Sequence, residues 1–234
     1  MTTPNRQPPM INAPWPVAGF AILLMAMHLI RTLLPNGLQN AAFYYGALIP
    51  ERFWTASGEA SVAGLPGYAG PAEAVLPMIA SALLHSDWMH VILNAAFLVA
   101  LGKPLLGLFR RAWPGREPAA SLWLLALFLF SQIFSSLTYL AANFPEGGPA
   151  IGASGGISGL LAAVLLLREG PGRWLLSQRF LVTSALFVVG NALFAFIGPS
   201  LLGAGIAWQA HVGGYAGGAI GMRGVLWWMQ TRRA

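Results

Sequence analysis

Six apolar runs divide this chain, and they limit its fold more than any other feature. They lie at about 17–34, 88–108, 120–141, 152–168, 179–197 and 206–229. Most approach the roughly 20 residues a helix needs to cross the hydrocarbon core of a bilayer. The fourth is shorter, and it can begin inside the protein only where the backbone before it lines a cavity. Charged residues make up 9% of the chain, against about 25% in a soluble domain. The mean hydropathy is +0.64. A chain this poor in charge cannot cover itself with polar surface. The predicted class is an all-α polytopic membrane protein, a six-transmembrane-helix bundle with a long first loop.

The net charge of +6 invites a nucleic-acid reading. The basic residues, however, form no stripe or arm, and they sort by loop. Arg6, Lys103, Arg110, Arg111, Arg116, Arg168, Arg173, Arg179, Arg223, Arg232 and Arg233 fall on one side of a six-span path, Arg31 and Arg52 on the other. Most acids (Glu51, Glu59, Glu73, Asp87, Glu146) lie on that second side. This is a topology signal, and it places both termini in the cytoplasm. No nucleic-acid partner is expected. The absence of cysteine excludes disulfide and thiolate chemistry.

The organisation that follows has three parts. Residues 1–16 are a polar, Pro-rich segment, 17–229 the membrane domain, and 230–234 a short basic tail. The first run lacks a convincing small-residue cleavage site after it and reads as a retained anchor. The connection at about 35–87 is long enough to carry structure of its own. Within it "NAAFYYGALIPERFW" fits an interfacial segment, and "GEASVAGLPGYAGP" reads as irregular loop.

Polar side chains inside membrane spans are costly and are functional candidates by default. "HSDWMHVILN" puts His90 and Asn94 one turn apart on one helix face. "GASGGISGL" carries Gly-x-Ser-Gly twice, around Ser154 and around Ser158. "AHVGGYAGG" places His211 early in the sixth run. His90, Ser154 and His211 all fall toward the same end of their spans. Each has a bland reading too. A membrane histidine can bond a backbone carbonyl, a helical serine the carbonyl one turn back, and a Gly-rich face can be packing alone. Metal binding by His85, His90 and His211 lacks a carboxylate or cysteine at matching depth, so neither a metal nor another cofactor is expected.

Taken together, "HSDWMHVILN", "GASGGISGLL" and "AHVGGYAGG", in that order, resemble the rhomboid family of intramembrane serine proteases, of the bacterial six-span type. The resemblance covers roughly residues 17–229. It implies Ser154 as nucleophile, His211 as general base, and His90, Asn94 and the Ser154 N–H as oxyanion donors. It also implies close helix packing near the site through Gly152, Gly155, Gly214 and Gly218. Ser154 is preferred over Ser158 because it sits at a loop-to-helix junction, where its N–H is a free donor of the first turn. Relatives often carry an aromatic at position 158, against which the imidazole packs; here it is Ser158. The Trp-Arg pair common in their first loop is absent from "AVLPMIASALLH", and the Glu common near the end of the second helix is absent from "GKPLLGLFRR". These departures bear on loop anchoring and stability more than on chemistry.

No Asp or Glu lies in the spans at the depth of His211, so the sequence predicts a Ser–His dyad. The implied function is endoproteolysis of transmembrane helices in other membrane proteins, with lipid as the surrounding partner. The helix to be cut would come in near the second and fifth spans, and "GPSLLGAGIAW" would form a flexible cap. The implied location is the bacterial inner membrane, with the site opening extracytoplasmically. A catalytically inactive relative that binds membrane proteins for quality control is the alternative; such members lose the serine or the histidine. A channel or transporter would want a polar file across the whole bilayer.

Overall fold

The computed structural model describes residues 13–61, 64–169, 175–202 and 205–231. These form the helices α1 (Trp15–Leu33), α2 (Asn36–Gly46), α3 (Pro50–Trp54), α4 (Pro71–Ala80), α5 (Trp88–Ala112), α6 (Glu117–Ala142), α7 (Ser154–Leu167), α8 (Gln178–Leu202) and α9 (Trp208–Thr231). A 3-10 turn, Ser81–Leu83, follows α4. The only β pairing among the described residues is two isolated bridges. The ends of the predicted 1–16 and 230–234 segments lie outside the described residues.

Each apolar run is one helix: α1, α5, α6, α7, α8 and α9 in turn. Proline opens several helices, since its fixed φ suits the first turn and its missing N–H is not needed there; α1, α3, α4 and α6 all carry it in that position. Among the described residues, four helices are long and apolar enough to cross a membrane: Trp15–Leu33, Trp88–Ala112, Glu117–Ala142 and Gln178–Gly198. The chain is therefore an integral, multi-pass, all-α membrane protein. The other two runs of the expected six differ for distinct reasons. α7 has 14 residues, so it rises only about 21 Å. α9 is long, but its glycines, Gln209, His211 and Arg223 dilute its apolarity.

α7 is buried along most of its length, enclosed by α5, α6 and α9. α7 and α9 are both glycine-rich, which lets their backbones meet. A Cβ on Gly214 would fall on the carbonyl oxygen of Gly155, and a Cβ on Gly218 on that of Gly159. In a lipid solvent, apolar side chains gain little by leaving the solvent, so close van der Waals packing of this kind holds helices together. Small and polar side chains share the interior with buried leucine, valine and phenylalanine, and the outer surface is apolar. Ser131, Gln132, Ser135 and Ser136 on α6 are all buried, while Leu122, Leu186 and Phe196 are among the exposed large side chains.

The first loop is an ordered unit. Arg52 on α3 is 1% exposed. Its guanidinium donates to the carbonyls of Tyr44 and Pro66, at 2.9 and 3.0 Å, and to Glu73 at 2.9 Å. It also lies over the rings of Tyr44 and Tyr68. This anchoring comes from "ERFW", upstream of "AVLPMIASALLH". Trp54 Nε1 donates to the Leu140 carbonyl and Ser136 Oγ to that of Met78, so the loop is fastened to α6. The predicted cap is shorter than expected. α8 continues to Leu202, and residues 203–204 lie outside the described residues.

Candidate active site

Three segments converge on the start of α7. Upstream, Leu48 and Ala150 exchange backbone hydrogen bonds of 3.0 and 2.8 Å, so the first loop holds the chain at Ala150, just before α7. Gly152 N–H then donates to the carbonyl of Ser81 at 2.8 Å. Gly152 has φ +117, a conformation that favours glycine. A Cβ there would also stand 2.7 Å from His90 Nε2. Gly152 thus lies before the helix and faces α5 side chains, whereas Gly155, Gly214 and Gly218 make the backbone contacts between α7 and α9.

No side chain caps α7, so its first N–H groups stay free unless something else takes them. Gln132 Oε1, buried on α6, accepts from Gly156 N at 2.8 Å. The N–H of Ser154 lies two residues earlier, at the start of the helix, where the residue is half-buried. Ser154 Oγ is 2.8 Å from His211 Nε2, which joins the first turn of α7 to the first turn of α9. Ser158 is buried one turn deeper, and among the described residues no hydrogen bond joins its side chain to this pair.

The second ring nitrogen of His211 is also bonded. Nδ1 lies 2.7 Å from Asn191 Oδ1 on α8. The expectation of a bare Ser–His pair is therefore incomplete as geometry. No aromatic ring among the described residues stacks on His211; its second ring nitrogen is held from α8.

His90 and Asn94 flank the other side of Gly152. Asp87 caps α5 by accepting from His90 N at 2.9 Å. The Ser86 hydroxyl donates to Asp87 at 2.6 Å, and these two bonds hold the Asp87 carboxyl below its usual range, the Ser86 bond contributing most. Ser86 Oγ is also 3.1 Å from His90 Nδ1. With its proton on Asp87, that oxygen accepts from Nδ1–H. His90 then donates from Nε2 only as an imidazolium, or after Ser86 turns its hydroxyl toward Nδ1. Asn94 needs no such change. It is 5% exposed, and its Nδ2 is without a partner among the described residues, beside the Gly152 backbone.

His85 lies behind His90, with ring centroids 5.0 Å apart. Burial, then the neighbouring His90 and His28, push its imidazole down to about 3, so it is neutral at physiological pH. Its carbonyl accepts from Arg31 at 2.8 Å. It does not approach His211 as a co-ligand, and no three His, Asp or Glu side chains among the described residues form a metal-binding group.

The structure places Ser154 against His211 and puts His90 and Asn94 beside Gly152, two residues before the serine. Gln132, Ser81 and Asn191 were missed. The available signal was weak but real: Gln132 and Asn191 are the carboxamides of "LFSQIFSS" and "VVGNALF", lone polar groups in apolar runs.

Comparison with known proteins identifies the family. A family model described as "Rhomboid domain" matches residues 72–227. Presenilin-associated rhomboid-like protein A, mitochondrial, of Danio rerio is 31% identical over 146 residues, covering 59% of this chain and 34% of that protein. Uncharacterized proteins of Mycobacterium tuberculosis and Mycobacterium bovis are 32% identical over 152 residues, covering 61% of this chain and 56% of theirs. The matches therefore span between about a third and just over half the length of these relatives.

Proposed function

The chain belongs to the rhomboid family, and on that premise we propose that it is an intramembrane serine endopeptidase cutting transmembrane helices of other membrane proteins. The observation that carries this reading is the 2.8 Å contact of His211 Nε2 with Ser154 Oγ, at a helix start with free donors and beside the unpaired amide of Asn94.

In this reading His211 Nε2 takes the hydroxyl proton as Ser154 Oγ attacks a substrate carbonyl carbon. The carbonyl oxygen becomes an oxyanion between the Ser154 N–H and Asn94 Nδ2, joined by His90 when its Nε2 bears a proton. Losing one such donor typically costs about 10²–10³ in rate. The C–N bond then breaks, His211 returns its proton to the leaving amine, and an acyl-enzyme remains. Water, deprotonated by the same histidine, hydrolyses the ester. A helical substrate hides its carbonyls in hydrogen bonds, so the cut segment must unwind, and helix-breaking residues near the cut favour this.

The site lies at the starts of α5, α7 and α9. The basic residues Arg110, Arg111, Arg116, Arg168 and Arg179 lie at the opposite end of the bundle. The positive-inside rule then puts both termini in the cytoplasm and opens the site on the other face, as in a bacterial inner-membrane protein. The substrate helix approaches from lipid near α5 and α8.

Labelling with a serine-directed fluorophosphonate tests the assignment. The wild type should label and Ser154→Ala should not. Absence of labelling in the wild type, with binding of membrane proteins retained, would favour an inactive rhomboid-like binding factor instead.

A further inference from the structure

We infer that Asn191 is a positioning residue that holds His211 in the tautomer required of a general base, so that the machinery is Ser154–His211–Asn191 with its third member carried by α8. This deepens the proteolytic reading above and rests on it.

Asn191 Nδ2 donates to the Phe187 carbonyl at 2.9 Å. That bond decides which way the carboxamide faces, because the flipped amide would set two oxygens against each other. Oδ1 therefore faces His211 Nδ1, at 2.7 Å. A carboxamide oxygen only accepts, so Nδ1 must carry the hydrogen. A neutral imidazole then has its lone pair on Nε2, and Nε2 faces the Ser154 hydroxyl at 2.8 Å. One bond chain, from the Phe187 carbonyl to Ser154 Oγ, thus assigns every proton in the sense that base catalysis needs.

The choice of a carboxamide fits the location. A carboxylate would stabilise the imidazolium more, but an ionised side chain within a membrane span is expensive before the proton arrives. The amide dipole offers an acceptor without that cost.

The carrier helix adds a condition. α8 is the least embedded of the long helices, and Leu186, Val189, Leu193 and Phe196 on it are exposed. It docks on α9 through one face. Ser184 Oγ is 2.9 Å from Tyr215 OH, and the Phe187 ring stacks on Tyr215 with centroids 4.5 Å apart. Ser184, Phe187 and Asn191 recur at spacings of three and four, which is one helix stripe. Tyr215 follows His211 by one turn of α9. The base is therefore set only while α8 is docked on α9. A merely structural role, in which Asn191 ties two helices together, would use the same contact, so the test must separate the two.

Full-length protein in bicelles is compared as wild type, Asn191→Ala, Asn191→Asp and Ser154→Ala. The readouts are kcat and KM on a fluorogenic transmembrane peptide, the melting temperature, and imidazole ¹⁵N shifts after histidine labelling, with His211 assigned by its loss in His211→Ala. Wild-type His211 should carry its hydrogen on Nδ1. Asn191→Ala should mix the tautomers and lower kcat about 10- to 100-fold while KM changes by less than about 2-fold. Asn191→Asp should recover kcat to within about 10-fold of wild type and move the acid limb of the kcat profile to higher pH, since a carboxylate favours the imidazolium. A wild-type His211 protonated on Nε2 would overturn the inference. So would an Asn191→Ala variant whose tautomer is unchanged and whose loss of activity only follows its loss of folded protein. Failure of the proteolytic reading looks different: Ser154→Ala would cleave like the wild type, or no variant would cleave, while the tautomer measurement still decides the role of Asn191.

Discussion

Ser154 and Ser158 share the same local motif, yet their surroundings separate them. Only Ser154 meets His211, and only Ser154 stands where helix N–H groups are free. On the proteolytic reading, Ser154→Ala and His211→Ala should each lower cleavage of a transmembrane substrate by more than about 10³-fold. Ser158→Ala should keep most of the activity. Equal losses at positions 154 and 158 would contradict the assignment. Asn94 tests the oxyanion site. Its Nδ2 has no partner among the described residues, so Asn94→Ala removes no internal bond of that donor and should leave the melting temperature nearly unchanged. Its kcat should fall to about 1%, roughly 2.7 kcal/mol of lost transition-state stabilisation. An unchanged kcat with a lowered melting temperature would instead make Asn94 a helix tie.

At the level of elements, two contacts do most to place the serine. The first is the glycine seam between α7 and α9. A methyl on Gly214 would meet the Gly155 backbone, which cannot rotate away as a side chain could. Gly214→Ala should therefore cost roughly 2–3 kcal/mol and lengthen the Ser154–His211 contact, seen as lost fluorophosphonate labelling in protein that is still folded. Wild-type labelling and melting in Gly214→Ala would show that the seam is slack. The second contact is the first loop, built on Arg52. The Ala69 N–H and then the Arg52 guanidinium hold the Glu73 carboxyl below its ordinary value of 4.5. A depressed carboxylate stabilises the fold above its unfolded value, and that contribution is lost as pH falls through the folded one. Wild-type protein should accordingly lose melting temperature as pH drops below about 4.5, and Glu73→Gln should lose less over the same range. Identical pH dependence in both would remove the loop anchor from the account. These two contacts act on one segment, since the loop holds the backbone before Ser154 through Leu48 and Ala150.

The whole molecule is arranged for a lipid solvent. Its interior contains serines, Gln132, Asn94 and histidines, and much of its outer surface is leucine, valine and phenylalanine. The site sits at one end of the bundle, while the opposite end bears the basic residues and a stack of Trp113, Trp123 and Trp228. Aromatic belts of this kind mark a membrane–water boundary. A reporter fused to the C-terminus that is active only outside the cytoplasm should stay silent, and a cytoplasmic reporter there should be active. The reverse pattern would overturn the six-span path and the side on which the site opens.

Membrane class and the positions of the apolar helices were legible in the residues alone, because they depend on run length and composition. That Ser154, His211, His90 and Asn94 belong to one site was implied only by the order of three motifs that resemble a family, since His211 and Ser154 lie 57 residues apart. What surrounds the pair was not legible. Asn191 precedes His211 by 20 residues and Gln132 precedes Gly156 by 24, with a turn of chain between them in each case. Nothing in the local pattern distinguishes a carboxamide that meets an imidazole from one that bonds its own helix. Arg52 was hidden for a similar reason, because a loop folds back on itself without periodicity. Hydrophobic pattern decides which segments become helices in lipid; the rotation and depth of each helix depend on backbone contacts such as Gly155 with Gly214, and only those contacts select which polar groups meet.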